Sequence, residues 1–220
     1  MNPQTQTIAI SKETVSQLPV VTFGGGITVV DTCEKARMAL RELTRARIVG
    51  FDTETKPSFH KGRAHKVALL QLSTENHCYL FRLNILGLSE GVRAFLEDPS
   101  VVKVGLSVHD DFNSLRRLSP DLDPQGFVEL QDYVKYFNIN DISLQKIYAI
   151  VFGQRISKNQ RLTNWEAPRL TEPQQSYAAT DAWACLELYN HLRAGRFDPD
   201  SSPYIVDRAS LNPQPSSYKS

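Results

Sequence analysis

The chain has 220 residues, 41% of them apolar and 22% charged, and a formal net charge of +1. That length can bury a core without disulfides or structural zinc, and the composition is that of an ordinary soluble protein. Near-neutral charge excludes a global basic field, so any polyanion has to be held by local patches acting over a Debye length of about 8–10 Å.

Cys33, Cys78 and Cys185 are scattered and form no CxxC pair. This is a reduced pattern, with neither a disulfide framework nor a zinc site. The first residues lack a basic stretch followed by an apolar one, so no secretory signal is read. No run approaches the ~18 apolar residues of a membrane span. The expectation is a cytoplasmic, reducing setting with no membrane partner.

Residues 1–18 are polar and read as a loosely ordered extension, residues 19–194 as the folded domain, and residues 195–220, rich in Pro and Ser, as a polar tail or surface-draping segment. The three glycines at 24–26 lack GxGxxG order and read as a turn. Ile27–Val30 is an expected strand, and Asp31 is placed to cap the helix that follows over CEKARMALRELTRAR. RIVGFDTE (47–54) reads as a buried strand. KVALLQLS (66–73) and CYLFRL (78–83) form an antiparallel hairpin across a short polar link. A helix near 89–96 leads to the strand VVKVGLS, a helix from about 110 to 118, and a short strand near 127–130. The rest is mostly helical, over 130–137, 143–152 and 172–193. Three antiparallel strands followed by βαβα units predict a mixed α/β sheet with helices on both faces.

Acidic residues in three segments stand out against this frame. In VGFDTET, Asp52 and Glu54 are two apart on a strand, so both carboxylates leave one face, which Gly50 shares. In VGLSVHDDFNSL, Asp111 opens a helix, with Asp110 beside it as the simpler capping residue. In YAATDAWACLEL, Tyr177 and Asp181 are four apart on one helix face. Taken singly, each has a plain structural explanation: a solvated strand end, a helix cap, a surface hydrogen-bonded pair. Brought together, the carboxylates would raise one another's pKa unless a cation neutralised them. Mg²⁺ and Mn²⁺ prefer oxygen ligands, and two such ions can clamp both the attacking and the leaving oxygen of a phosphoryl displacement.

These motifs, in this order, resemble the DEDD superfamily of 3′-5′ exonucleases in its tyrosine-bearing DEDDy branch, close to ribonuclease D and the exonuclease domain of the Werner syndrome helicase. FDTET supplies Asp52 and Glu54, Asp111 takes the second motif with Leu115 at its apolar position, and Tyr177 and Asp181 form the YxxxD motif. RISKNQRLTNWE resembles the KSxRxSxW stretch before the last motif, and the likeness spans about residues 25–193. The resemblance implies a ribonuclease-H-like fold and two divalent cations, Mg²⁺ or Mn²⁺. It implies that Asp52 bridges both ions, that Glu54 and Asp181 hold the ion carrying the attacking water, and that Asp111 supports the second. It also implies that Tyr177 orients the nucleophile and that Thr55 lies near the terminal sugar. The reaction implied is release of nucleoside 5′-monophosphates from a nucleic-acid 3′ end. A binding or scaffolding protein that kept the fold and lost turnover is the competing reading, and the intact set of four acids with Tyr177 argues against it.

Two local basic segments suit such a substrate. The first, KPSFHKGRAHK, carries Lys56, Lys61, Arg63 and Lys66. The second carries Arg155, Lys158, Arg161 and Arg169. Phe59 and Phe112 offer faces on which a base can stack, and each also suits a core or anchoring position. Trp165 is expected to pack the connector. DNA against RNA is left open, because it turns on contacts at the terminal sugar.

Overall fold

The structure is a computed structural model that describes residues 5–58 and 65–211. Strand β1 (Gln6–Ile8) and helix α1 (Lys12–Gln17) precede β2 (Val20–Val21), β3 (Gly26–Val30) and α2 (Cys33–Ala46). Three long strands follow, β4 (Ile48–Thr55), β5 (Val67–Ser73) and β6 (His77–Arg82). After them come α3 (Leu83–Leu86), α4 (Glu90–Glu97), β7 (Val102–Gly105), α5 (Val108–Arg116), β8 (Phe127–Glu129) and α6 (Leu130–Tyr133). The chain continues through α7 (Leu144–Phe152), β9 (Arg155–Ile156), α8 (Glu172–Arg193) and β10 (Ile205–Asp207).

One six-stranded sheet, in the order β3-β6-β5-β4-β7-β8, organises the domain. β4, β5 and β6 pair antiparallel. β7 is parallel to β4, β8 to β7, and β3 to β6. This is the mixed sheet read from the sequence, with β4 at its centre.

Alternation along β4 decides what each face does. Val49 and Phe51 point into a core shared with Ala36, Ala39 and Leu43 of α2, Val92 and Phe95 of α4, and Val108 and Leu115 of α5. Each of the Val, Leu and Phe side chains among them contributes about 1.5–3 kcal/mol when fully buried. The other face carries α8, whose start is fixed by a capping box between Thr171 and Gln174. α8 is rich in small residues on its buried side, with Ala178, Ala182 and Cys185 all closed off from solvent. Small residues let helix and sheet approach closely. At Gly50 a Cβ would lie 1.8 Å from the carbonyl oxygen of Ala182, so only glycine admits the helix there.

Several local expectations are corrected. The caps differ: Thr32, not Asp31, accepts from the Lys35 amide, while Asp31 pairs with the Lys35 ammonium at 2.7 Å. The start of α5 is capped by neither Asp110 nor Asp111. Its amides at Ser107 and Val108 donate to the Glu129 carboxylate at 2.9 and 2.7 Å. The described parts of the two ends are also folded. β1 pairs antiparallel with β10, and β2 pairs parallel with β9. Ile8, Ile10 and Val15 are buried against the core formed by α7 and α8. Isolated apolar residues in a polar stretch gave no periodic signal, yet together they anchor the segment. No described helix is long and apolar enough to cross a membrane.

Gly50→Ala is expected to lower the unfolding free energy by about 1–3 kcal/mol, because backbone rather than a flexible side chain blocks the new methyl group. Gly24→Ala meets nothing within 4 Å and should stay within about 0.5 kcal/mol. Urea denaturation of the two variants checks the contrast.

Candidate active site

Three elements meet at the C-terminal end of β4. Asp52 and Glu54 leave the strand on the face covered by α8, and Asp181 comes down from that helix. One carboxylate oxygen of each lies within 4.8 Å of the others. Tyr177, one turn before Asp181, has its hydroxyl in hydrogen-bonding reach of the Asp181 carboxylate. Its ring lies 5.9 Å from that of Trp165, which is fully buried. Trp165 therefore packs the connector, as its sequence context suggested, and fixes the tyrosine in doing so.

Asp111 arrives from the opposite side of the sheet. Thr53, between the two acids of β4, points to that side and donates its hydroxyl to Asp111 at 2.5 Å. Asp111 lies outside the three-acid group, yet close enough for its charge to act on Glu54. Of the five side chains singled out in the sequence, Asp52, Glu54 and Asp181 come together, Tyr177 lies beside Asp181, and Asp111 stands next to them, held by Thr53.

The electrostatics of this point are unfavourable to bare anions. Burial, then the neighbouring charges of Asp52, Asp181 and Asp111, push Glu54 up to about 10. Burial and then Asp52 push Asp111 up to about 8. Burial pushes Asp181 up to about 7 against the opposing effects of Tyr177 and Lys158. Asp52, half-buried, is raised well above the usual carboxylate range by burial and then by the Asp181 charge. Tyr177 is raised by burial and the same anions, so its hydroxyl remains a proton donor. A set of hard oxygen donors this close together fits a divalent cation. A second feature agrees. Gln71 sits opposite Asp52 in the sheet register and is fully buried. Both polar atoms of its amide have no partner among the described residues, and a hydrated ion beside them would satisfy such groups.

A family profile described as 3′-5′ exonuclease matches residues 27–195. The chain belongs to the 3′-5′ exonuclease family. It is similar to the mouse bifunctional 3′-5′ exonuclease/ATP-dependent helicase WRN, 33% identical over 176 residues, which is 77% of this chain and 12% of that protein. It is 29% identical over 209 residues to a 3′-5′ exonuclease of Arabidopsis thaliana, covering 84% of this chain and 69% of that one. The crystal structure of the Aedes aegypti Nibbler EXO domain superposes with a TM-score of 0.71 at 22% identity, over 82% of this chain and 96% of that one. The shared fold is the ribonuclease-H-like one. The motifs place the chain with the DEDD-type members of the exonuclease family, which use divalent metal ions.

The surroundings of this exonuclease site differ in part from the sequence reading. Lys158 and Arg161 are exposed and flank the acids, Lys158 acting on Asp181 and Arg161 on Glu54. Thr55 ends β4 beside Glu54, where the pairing with β5 shifts register. Lys56 is turned to the connector instead, 3.3 Å from Glu166, which also faces His65. Phe112 is partly buried and takes the anchoring position that the sequence reading also allowed. Its ring lies 4.7 Å from that of Phe127, edge to face, at the border of the α5 core. Lys61, Arg63 and Phe59 lie outside the described residues. Three residues escaped the sequence reading: Thr53, Gln71 and Glu129. Thr53 and Gln71 gave no signal beyond strand alternation. Glu129 was visible only as an acid at the end of a short strand.

A carboxyl whose pKa is higher in the folded chain holds its proton more tightly there than in the unfolded chain. The folded state then binds more protons between the two values, so stability is complete near pH 4 and falls as pH rises. The window runs through about 7 for Asp181, about 8 for Asp111 and about 10 for Glu54. The melting temperature in EDTA is therefore expected to drop between about pH 5 and about pH 9, and the gain on adding Mn²⁺ or Mg²⁺ to grow over the same range. Thermal denaturation with and without the cation measures this. A cation-induced gain independent of pH would separate the acids from the metal.

Proposed function

We propose that the protein is a metal-dependent 3′-5′ exonuclease that hydrolyses phosphodiester bonds at the 3′ end of a nucleic acid and releases nucleoside 5′-monophosphates. The observation that carries this reading is the convergence of Asp52, Glu54 and Asp181 with the Tyr177 hydroxyl beside them. Asp52, Glu54 and Asp181 would hold one divalent cation, Mg²⁺ or Mn²⁺, and Asp52 would share a second with Asp111. When bound, such a pair supplies positive charge to the phosphoryl oxygens and to the attacking and leaving oxygens.

The chain's own groups do the positioning. Thr53 holds the Asp111 carboxylate by one of its oxygens and so sets the direction of the other. Tyr177, protonated and braced by Trp165, would use its hydroxyl oxygen to hydrogen-bond the attacking water and align it with the scissile phosphate. Thr55, at the mouth, is placed for the terminal sugar. Lys158 and Arg161 face the acids from the connector and suit the phosphates of the strand. Cys78 and Cys185 are buried free thiols, which supports a reducing, intracellular setting.

Incubation of 5′-labelled DNA and RNA strands, single-stranded, blunt and recessed, with Mg²⁺ or Mn²⁺ tests the proposal. Laddering from the 3′ end that stops on adding EDTA is expected. Tight binding without cleavage in either metal would instead favour a binding protein on the same fold. Asp52→Ala should fall below detection with folding intact. Tyr177→Phe should lose about 10²–10⁴-fold in turnover while keeping its packing. Unchanged turnover in a folded Asp52→Ala variant would remove the metal assignment.

A further inference from the structure

The basic residues nearest the acids do not stop at the connector. β2 pairs in parallel with β9, matching Val20 with Arg155 and Val21 with Ile156. The Arg155 guanidinium donates to the Leu18 carbonyl at 3.0 Å, and the Gln145 amide to the Ile156 carbonyl at 2.6 Å. Asp141 accepts from the Ile10 amide at 2.9 Å and from the Lys146 ammonium at 2.7 Å. These contacts draw together the starts of α1 and α7 and the connector that carries Lys158 and Arg161. A cavity of about 200 Å³ lies along the same line, with Thr22, Ser157, Asn159 and Tyr177 among its lining residues. It joins the segment before the family match directly to the catalytic tyrosine's helix.

Lys12 is exposed at the first position of α1, and Lys146 sits in the first turn of α7. A helix N-terminus disfavours cations by a few tenths of a kcal/mol to about 1 kcal/mol. Helix stability therefore does not account for either lysine. Two acids lie among them: Glu13, within reach of both lysines, and Asp141, already occupied by Lys146 and Ile10. Lys12 and Lys146 meet Glu13 and Asp141, and Lys158 and Arg161 continue the line of cations to the edge of the acidic site, beside Asp181 and Glu54. The mutual influence agrees with this placement. Burial, then Arg161 and to a lesser degree Lys12 and Lys146, lower the pKa of the Lys158 ammonium against the opposing effect of Asp181.

We propose that Lys12, Lys146, Lys158 and Arg161 form a continuous phosphate track that guides the substrate strand upstream of its 3′ end, with the N-terminal segment outside the family match as one wall. The inference rests on the exonuclease reading and deepens it. It extends the binding of the strand backbone from Lys146, Lys158 and Arg161, inside the match to the family, to Lys12 outside it.

Equilibrium binding tests the track, measured in the Asp52→Asn background so that the strand is not consumed. The probes are single strands of about two, six and twelve nucleotides, in matched DNA and RNA, across a salt series. Lys12→Glu should weaken binding of the longest strand by about three- to tenfold and flatten its salt dependence by about 0.7 in log–log slope, the value of one single-strand phosphate contact. The loss should shrink as the strand shortens, because a short strand anchored at the acids leaves fewer phosphates to reach Lys12. Arg41→Glu, an equal charge change on exposed α2 beyond the opposite face of the sheet, should leave binding unchanged. A Lys12→Glu variant that binds the longest strand as the parent does would overturn the track and leave the exonuclease reading standing. So would losses equal to those of Arg41→Glu, or losses independent of strand length. A parent protein that binds no strand of any length would overturn both readings. An effect on DNA alone, RNA alone or both supports the track and identifies the backbone it takes.

Discussion

Like charges packed into a shared, water-poor space repel strongly, and the design of this protein turns on that repulsion. Asp52, Glu54, Asp111 and Asp181 are gathered where burial alone would already disfavour their ionised forms, and the charges of neighbouring acids raise Asp52, Glu54 and Asp111 further. Such a cluster is stable only if the rest of the fold over-determines it and a cation relieves it. The remaining architecture can be understood as the scaffold that keeps these groups together.

The scaffold works from both sides of one strand. On one face, glycine at position 50 and alanine at 182 let α8 approach β4 to backbone contact, and this closeness carries Asp181 to the acids of β4. On the other face, Glu129 at the end of β8 caps the start of α5 and sets its orientation, placing Asp111 within reach of Thr53. The connector before α8 has little regular structure, yet it is tied at several points. Arg82 donates to the Ala167 carbonyl, Gln174 to Thr163 and the Asn164 carbonyl, and Glu166 meets Lys56. With Trp165 buried beneath it, this segment presents Lys158 and Arg161 at fixed positions beside the acids. A loop held this way can offer cations to phosphate without first paying the entropy of ordering them.

Much of this was legible from residue order. The apolar alternation of VGFDTET announced a buried strand with two acids on one face, and the structure has that strand at the centre of the sheet. The spacing of Tyr177 and Asp181 announced one helix face, and α8 runs over the residues expected. What misled was local chemistry with more than one outlet. Asp31 and Asp110 have the character of capping residues, but Thr32 and Glu129 do the capping, and the latter comes from a different strand. Phe112 offers a ring for stacking, and one edge of it packs on Phe127. Lys56 has the character of a phosphate contact, but Glu166 faces it. The polar ends hid Ile8, Ile10 and Val15, whose partners lie in the core of α7 and α8.

The sequence by itself determined which side chains can do the chemistry and which elements carry them, because strand and helix periods assign side chains to faces without reference to the rest of the chain. Only the tertiary structure decided which faces meet. The contacts between Thr53 and Asp111, between Gln71 and the strand bearing Asp52, and between Arg155 and the Leu18 carbonyl all join residues distant along the chain. Their energies depend on distance and burial, and neither quantity exists until the chain has closed on itself.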